Sequence, residues 1–117
     1  MEIRLKRVYE EPSEDDGARV LVERLWPRGV SRDRAALDAW LKDVAPSHEL
    51  RRWYGHDPER WSGFRERYRR ELRERVEPVS ELRRIVERGR TTFVYATRDE
   101  RRSSAVVLKE YLEETDG

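Results

Sequence analysis

The segment Trp26-Pro27-Arg28-Gly29, preceded by Arg24, places two guanidinium groups beside an indole ring. Arg binds phosphate or carboxylate through planar, bidentate hydrogen bonds, and it stacks on aromatic faces. The segment follows Val20-Leu21-Val22, an apolar run typical of a strand that is buried on both faces. We therefore predict that this turn either faces a ligand or closes a buried strand, with Trp26 in the core and the arginines in ion pairs.

A second segment, Gly55-His56-Asp57-Pro58, contains one of the two histidines of the chain. A His beside a carboxylate can act as a general acid or base near neutral pH, so His56 and Asp57 are the candidate catalytic pair. Asp57 equally fits the N-cap of a helix that begins at Pro58. On that interpretation His56 is a hydrogen-bonding residue of a structural turn, and the sequence leaves both alternatives open.

A third segment, residues 98–104, links the β-branched and aromatic run at 91–97 to a helix for which Ser103 and Ser104 are alternative N-caps. Ligands of open α/β sheets gather where a strand ends and the next helix begins, because unpaired backbone N–H groups and the helix dipole attract anions there. Arg98 and its neighbours would add positive charge. The segment predicts an anion site, with a simple helix cap and solvated arginines as the alternative.

Composition excludes several kinds of chemistry. The 117 residues include no Cys, which rules out disulfides, thiolate catalysis and Cys-ligated metals. Ala96 stands at the strand end where a rhodanese-like or phosphatase-like fold would place its nucleophilic Cys. The two histidines and the carboxylates show no metal-ligand spacing, so we predict neither a metal nor a cofactor. No apolar run reaches the ~20 residues of a membrane span, and we expect a cytoplasmic protein without a membrane partner.

The charged residues are numerous but nearly balanced. Lys and Arg total 26 against 25 Asp and Glu, for a formal net charge of +1, and the only lysines are Lys6, Lys42 and Lys109. Glu is interleaved with Arg almost everywhere, as in ion-paired, solvated helix faces. A nucleic-acid binder would show an unopposed basic stripe. A nucleic-acid-associated or regulatory interaction protein that binds through the Arg-rich helices 59–76 and 83–90 is therefore the third-ranked alternative.

The pattern of apolar residues, caps and breakers predicts one α/β domain over residues 1–117. Its sheet would be small, mainly parallel and three-stranded or slightly larger, with about five helices covering it. The central strand would be 18–25 or 91–97, since both segments have the pattern of buried strands. The predicted order is a strand at 3–8, the strand at 18–25, a helix from the cap Ser31 through Leu37, Trp40, Leu41 and Val44, helices at 48–54, 58–76 and 78–88, the strand at 91–97, and a last helix reaching Leu112.

Four stretches of sequence carry a family resemblance: KRVYEEPSEDDGARVLVERLWPRG, ALDAWLKDVAPSHELRRWYGHDPERW, FRERYRRELR, and TTFVYATRDE with the later AVVL. Together they resemble the YeaO-like branch of an uncharacterised bacterial family, domain of unknown function 488. The resemblance spans residues 3–112, and Arg-Leu-Trp-Pro-Arg-Gly is its most specific part. It implies a small cytoplasmic α/β protein and no established activity.

The chain departs from that family pattern at two places. Where the family usually has Asp before Arg-Leu-Trp-Pro-Arg-Gly, this chain has Glu23, whose carboxylate reaches one methylene farther. Relatives typically carry Asn-His at the positions of Ser103 and Ser104, so catalysis by that His is not open to this protein. The resemblance implies a shared site lined by Arg24, Trp26, Arg28, His56, Asp57, Tyr95 and Arg98.

The leading hypothesis is a pocket that binds a small anionic molecule between the segments 26–29, 55–61 and 98–104. Arg28 and Arg98 would hold a phosphate-like or carboxylate group, while Trp26 or Tyr95 would form an aromatic wall. An enzyme that uses His56 and Asp57 as an acid–base pair is the second hypothesis. The oligomeric state stays open. The predicted ligand-binding residues are Arg24, Trp26, Arg28, Tyr95, Arg98 and Ser103.

Overall fold

The computed structural model describes residues 1–115 and contains four strands that form one all-parallel sheet. The strands are β1 (Ile3–Arg7), β2 (Ala18–Leu21), β3 (Ala39–Trp40) and β4 (Thr91–Tyr95), in the spatial order β1-β4-β2-β3. The α/β prediction is confirmed, with one strand more than the minimum. Both segments that were predicted as the central strand are central, since β4 and β2 pair with each other and have a further strand on the other side. Residues 116 and 117 of the predicted domain lie outside the described residues.

Five α-helices follow from local signals in the sequence. Ser47 and Ser103 act as N-caps, and each side-chain oxygen accepts a backbone N–H two or three residues into its helix, which satisfies a donor that has no partner within the helix. Gly55 ends the second helix in the left-handed conformation, as a glycine at a helix end commonly does. The helices are α1 (Arg32–Ala35), α2 (His48–Tyr54), α3 (Trp61–Glu74), α4 (Val76–Glu87) and α5 (Ser104–Glu114).

The two faces of the sheet are covered differently. Alternate strand residues point to opposite faces, and Val20 and Phe93 join a large core cluster built from α2, α3, α4 and α5. Leu21 and Val94 point the other way into a smaller cluster with Val30 and Ala35, which the short α1 and neighbouring loops cover. The sheet is therefore buried on both faces, as the continuous apolar runs of β2 and β4 require.

The predicted helix from Ser31 through Val44 is wrong beyond its first turn. Ser31 does cap a helix, but α1 ends after four residues at Ala36, which has a left-handed backbone with φ 49°. Residues 39–40 then form β3 beside Val20 and Leu21, and a 3₁₀ turn follows at Lys42–Val44. The apolar residues at three- and four-residue intervals do not lie on one helix face. Leu37 and Trp40 pack in the smaller cluster, whereas Leu41 and Val44 pack in the larger one.

Candidate anion-binding site

An open cleft of about 520 Å³ lies beyond the carboxyl ends of β2 and β4. A cavity of about 410 Å³ adjoins it and shares Tyr54, His56 and Arg102 with its wall, so we treat the two together as the strand-end cleft. This is the place where open parallel sheets bind their ligands. The lining consists of Glu23, Leu25, His48, Arg51, Arg52, Tyr54, His56, Phe64 and residues 96–99 and 102–104.

The largest cavity, of about 750 Å³, lies elsewhere, between the Lys42–Val44 turn and α4. Its wall mixes acidic and basic side chains, and Lys42 is already placed over the Trp40 ring, with 4.2 Å from its Nζ to the ring centroid. None of the predicted ligand-binding residues lines this cavity, and neither does His56 or Asp57. The strand-end cleft is the better candidate because it combines strand ends, a helix N-terminus and several cationic side chains.

Four guanidinium groups line the strand-end cleft, and Arg98 is the one that lines only the adjoining cavity. Arg51 and Arg52 extend from α2, and Arg102 precedes α5. Arg52 lies 2.7 Å from the Nε2 atom of His48, and Arg102 forms an ion pair of 3.2 Å with Asp99. Within residues 1–115, Arg51 has no ion-pair or hydrogen-bond partner for its exposed side chain. The donors of a guanidinium fork match an incoming phosphate or carboxylate.

The loop before α5 is held in place by Asp99. Its carboxylate accepts the backbone N–H groups of Arg101 and Arg102, each at 3.2 Å. Desolvation opposes ionisation of this carboxyl, but the hydrogen bonds from Arg102 and Arg101 outweigh it and lower the pKa of Asp99. Ser103 then caps α5 with its buried hydroxyl, and Ser104 lies half-buried in the cleft wall. The N-terminus of α5 is thereby presented to the cleft.

One carboxylate, that of Glu23, lies among these cations. Its half-buried position in the cleft wall raises the pKa of Glu23 by desolvation, and the charge of Arg51, the backbone N–H of Ala96 and the charge of His56 oppose that rise. The indole N–H of Trp40 donates to the Glu23 carbonyl at 2.7 Å and fixes the backbone there. Glu23 is thus a positioned carboxylate in a mostly cationic cleft.

The remaining wall is apolar and aromatic. Leu25 lines the cleft and is 67% exposed. Tyr54 and Phe64 pack with their ring centroids 4.6 Å apart, and Trp61 lies 5.6 Å from Phe64 on the same aromatic cluster. Burial raises the pKa of Tyr54, so its hydroxyl stays protonated near neutral pH. This wall can contact the uncharged part of a ligand.

Three of the residues predicted from the sequence come together in the strand-end cleft: His56, Arg98 and Ser103. His56 is exposed and has a left-handed backbone with φ 57°, which is uncommon outside glycine and is often found at functional sites. Two of the three segments of the leading hypothesis therefore meet, through His56 on one side and residues 98, 99 and 102–104 on the other, whereas the segment 26–29 does not line the cleft.

The other predicted residues lie outside the lining of the cleft. Arg24 donates to the carbonyls of Ala45 and Pro46, at 3.1 and 3.2 Å. Trp26 donates to the Val30 carbonyl at 2.7 Å and meets Trp40 edge to face. The Tyr9 hydroxyl donates to the carbonyl of the exposed Arg28, and this hydrogen bond holds the turn that follows Trp26.

Tyr95 and Asp57 also have other surroundings. Tyr95 is 3% exposed in the large core cluster, and burial raises the pKa of its hydroxyl. Asp57 accepts the Glu59 N–H at 3.0 Å and lies 3.8 Å from the Arg60 guanidinium. In the part of the chain that the structure describes, Asp57 makes no hydrogen bond to His56, so its carboxylate acts as the predicted cap.

Sequence reasoning did not single out Arg51, Arg52 or Tyr54 as site residues. One signal could have identified the arginines: His48, Arg51 and Arg52 stand at i, i+3 and i+4, which places them on one face of α2. Over residues 1–115, His, Asp and Glu side chains form no group of three that could hold a metal ion. None of the helices in that range combines the length and apolar composition of a membrane span.

Comparison with known proteins identifies the family to which the chain belongs. The chain belongs to the family described as the inactive DUF488-N3 subclade, whose model matches residues 2–116. It is 37% identical to the uncharacterised protein YeaO of Escherichia coli over 112 residues, which is 96% of this chain and 97% of YeaO. Uncharacterised proteins of Mycobacterium tuberculosis and Mycobacterium bovis are 48% identical over 110 residues, 94% of this chain and 92% of each relative. The resemblance to the YeaO-like branch is confirmed, and no solved structure matches the chain.

Proposed function

We propose that this protein binds a small anionic molecule in the strand-end cleft. One observation carries the proposal: Arg51, Arg52 and Arg102 converge with the N-terminus of α5 around a single cleft at the carboxyl ends of the central strands. Charge-assisted hydrogen bonds from guanidinium groups and free N–H groups at a helix N-terminus both favour phosphate or carboxylate. We place this binding activity in the cytoplasm, where phosphorylated and carboxylated metabolites occur.

The dimensions of the cleft fit a metabolite-sized ligand. Ligand pockets commonly measure about 300–1,000 Å³ and combine an apolar wall with a few polar groups that orient the ligand. The strand-end cleft, at about 520 Å³ without its adjoining cavity, has both features. Arg98 of the adjoining cavity would extend the anion site. The uncharged part of the ligand would lie against Leu25 and Tyr54.

Binding is favoured over acid–base catalysis by the surroundings of His56. A catalytic pair needs Asp57 to orient the imidazole, yet the Asp57 carboxylate caps the following turn and lies near Arg60 instead. The description of the family as an inactive subclade agrees with a protein that holds a ligand without transforming it. His56 would then act as a hydrogen-bonding residue of the cleft wall.

Calorimetry and thermal unfolding with phosphate, sulfate, nucleotides and carboxylate metabolites test the proposal. A ligand of the native state raises Tm by mass action, by an amount equivalent to about 2.7 kcal/mol at one hundred times its Kd. Replacing Arg51 or Arg102 by Gln removes a charge-assisted hydrogen bond of roughly 1.5–3 kcal/mol, so each variant should bind about tenfold or more weakly.

Arg28→Gln is the matched control, because Arg28 is an exposed arginine outside the cleft lining. It should bind the same compounds as tightly as the wild-type protein. The proposal is wrong if no compound of the panel binds. It is also wrong if Arg28→Gln weakens binding as much as Arg102→Gln does.

A further inference from the structure

We infer that Glu23 selects zwitterionic ligands, which carry an amine or a similar N–H donor in addition to their anionic group. The inference rests on the proposed function, since it concerns the same cleft. It adds a specificity-determining residue and a ligand class. The anionic group of the ligand would meet the arginines, and its cationic or N–H end would meet the carboxylate of Glu23.

The first argument is the unused hydrogen-bonding capacity of this carboxylate. An ionised carboxylate offers about four acceptor positions on its two oxygens. Among residues 1–115, no side chain forms an ion pair or hydrogen bond with the Glu23 carboxylate, and the Ala96 N–H is the one donor close enough to affect its ionisation. Among the described residues no fully buried side-chain oxygen lacks a hydrogen-bond partner, so an unpartnered oxygen of Glu23 is accessible, and Glu23 lines the cleft.

The second argument is electrostatic. Arg51 and His56 influence the ionisation of Glu23 through their charges, but neither forms an ion pair or hydrogen bond with it within residues 1–115, and all three line the same cleft. A desolvated carboxylate without a direct partner is costly, and an ammonium group on the ligand would relieve that cost. The same ligand would hold its anionic group several bonds away, beside the guanidinium groups.

The third argument is that Glu23 is held in place before any ligand arrives. Its carbonyl accepts the Trp40 indole N–H at 2.7 Å, and Trp40 itself belongs to β3. Just before it, the Val22 N–H donates to the Val94 carbonyl at 3.1 Å and continues the pairing with the central strand. A side chain on such a fixed backbone can discriminate between ligands with little loss of conformational entropy.

The test uses matched pairs of phosphonates in calorimetry at pH 8. The amine-bearing probes are 2-aminoethyl-, 3-aminopropyl- and 4-aminobutylphosphonate, and their partners are ethyl-, propyl- and butylphosphonate. At one chain length or more, the wild-type protein should bind the amine-bearing probe at least tenfold more tightly than its partner. In Glu23→Gln the two members of that pair should bind alike, and the plain alkylphosphonate should bind as well as before or better.

Two further variants separate selection from a structural role. Glu23→Asp keeps the carboxylate but withdraws it by one methylene, so the preferred probe should become one methylene longer. Glu49→Gln removes an exposed carboxylate of α2 that does not line the cleft, and it should keep the wild-type preference. If Glu23 had only a structural role, the two Glu23 variants would change in thermal stability and would keep the wild-type preference between paired probes.

The outcomes distinguish the two levels of the proposal. Equal binding of paired probes by the wild-type protein at all three lengths would overturn the role of Glu23 and leave anion binding standing. A preference that persists in Glu23→Gln, or that disappears in Glu49→Gln, would overturn it as well. Failure of every phosphonate, together with failure of the phosphate and carboxylate panel, would overturn both the selection by Glu23 and the proposed function.

Discussion

Asp16 and Arg19 are two charged residues that are almost completely removed from solvent, at 5% and 4% exposure. The Arg19 guanidinium donates to the Asp16 carboxylate at 2.6 Å and to the Ala35 carbonyl at 2.8 Å, and Lys6 adds a second cation at 3.1 Å. Burying charges is tolerable only when each is paired and hydrogen-bonded, as here. This cluster joins the acidic loop to α1 at the end of β2 that lies away from the cleft.

The variant Asp16→Asn should lose stability in a pH-dependent manner. Desolvation alone would raise the pKa of Asp16, but hydrogen bonds from Ser13, Lys6 and Arg19 outweigh it and lower that pKa. A lowered pKa in the folded state stabilises the protein above the unfolded value of about 3.9, and the contribution is lost as the pH falls through the folded value. At pH 7 the variant should be less stable by roughly 3 kcal/mol, the low end for a broken buried pair.

Urea unfolding between pH 7 and pH 2 measures this difference in the free energy of unfolding. The curves of wild type and Asp16→Asn should converge below about pH 4, as the wild-type carboxyl takes up its proton. Glu11→Gln, an exposed acid of the same loop, should follow the wild-type curve throughout. A constant difference between wild type and Asp16→Asn at every pH would show that ionisation of Asp16 contributes nothing.

At the scale of elements, two helix ends use a left-handed backbone at residues other than glycine. Ala36 ends α1 with φ 49°, and His56 follows the Gly55 cap of α2 with φ 57°. This conformation costs a residue with a Cβ about 1–2 kcal/mol. Ala36 lies away from the strand-end cleft, whereas His56 lines it, so the same strained conformation occurs once outside the cleft and once in its wall.

Glycine substitutions at these two ends should separate stability from binding. His56→Gly and Ala36→Gly should each raise the free energy of unfolding by up to about 1 kcal/mol, since glycine adopts the left-handed region without a steric cost but loses more entropy on folding. His56→Gly should bind the ligands of the cleft several-fold more weakly, whereas Ala36→Gly should bind them unchanged. Urea unfolding measures the free energy of unfolding, and calorimetry measures the affinity for the ligands. Stabilisation without any loss of binding in His56→Gly would remove the imidazole from the site.

The elements that the sequence predicted well are those with complete local signals. The caps Ser47 and Ser103 and the break at Gly55 define α2 and the start of α5 without reference to the rest of the chain. The helix prediction for residues 31–44 was wrong because the apolar residues of this segment are divided between two clusters on opposite faces of the sheet. A strand as short as β3 leaves no alternating pattern, and only its pairing with β2 defines it.

The candidate site was predictable in part for the same reason. Turns and strand ends directed attention to His56, Arg98 and Ser103, which line the cleft. In the residues that follow β2, alternate side chains have different surroundings. Glu23 and Leu25 line the cleft, whereas Arg24 and Trp26 contact other segments. Which set lines the cleft depends on the position of α2 across the sheet, and that is a tertiary contact that neighbouring residues do not encode.

At the scale of the whole molecule, 44% of the residues are charged, yet few of the charges are buried. Arg65 pairs with Glu110 and Arg69 with Glu114, so ion pairs connect the outer surfaces of α3 and α5. Beneath them Leu108 is fully buried in the large core cluster, and α3 and α5 pack against each other. Two kinds of interaction therefore hold the same pair of helices together.

The core should dominate over the ion pairs in joining α3 to α5. Leu108→Ala removes buried methyl groups and leaves a cavity, which costs about 2–5 kcal/mol in comparable cores. Arg69→Gln breaks a pair in which Glu114 is 57% exposed, and exposed pairs contribute less than about 1 kcal/mol. Urea unfolding at low salt and at 1 M NaCl measures both variants against the wild-type protein.

Salt supplies the decisive comparison, because it screens charges at the surface and leaves apolar packing in place. The small deficit of Arg69→Gln should shrink towards zero at 1 M NaCl, whereas the deficit of Leu108→Ala should persist. If Arg69→Gln cost as much as Leu108→Ala at low salt, the charged surface would be holding the helices together. The abundance of Arg and Glu would then be a source of stability in this fold. The arginines of the strand-end cleft would need to be tested for the same structural role before ligand binding was ascribed to them.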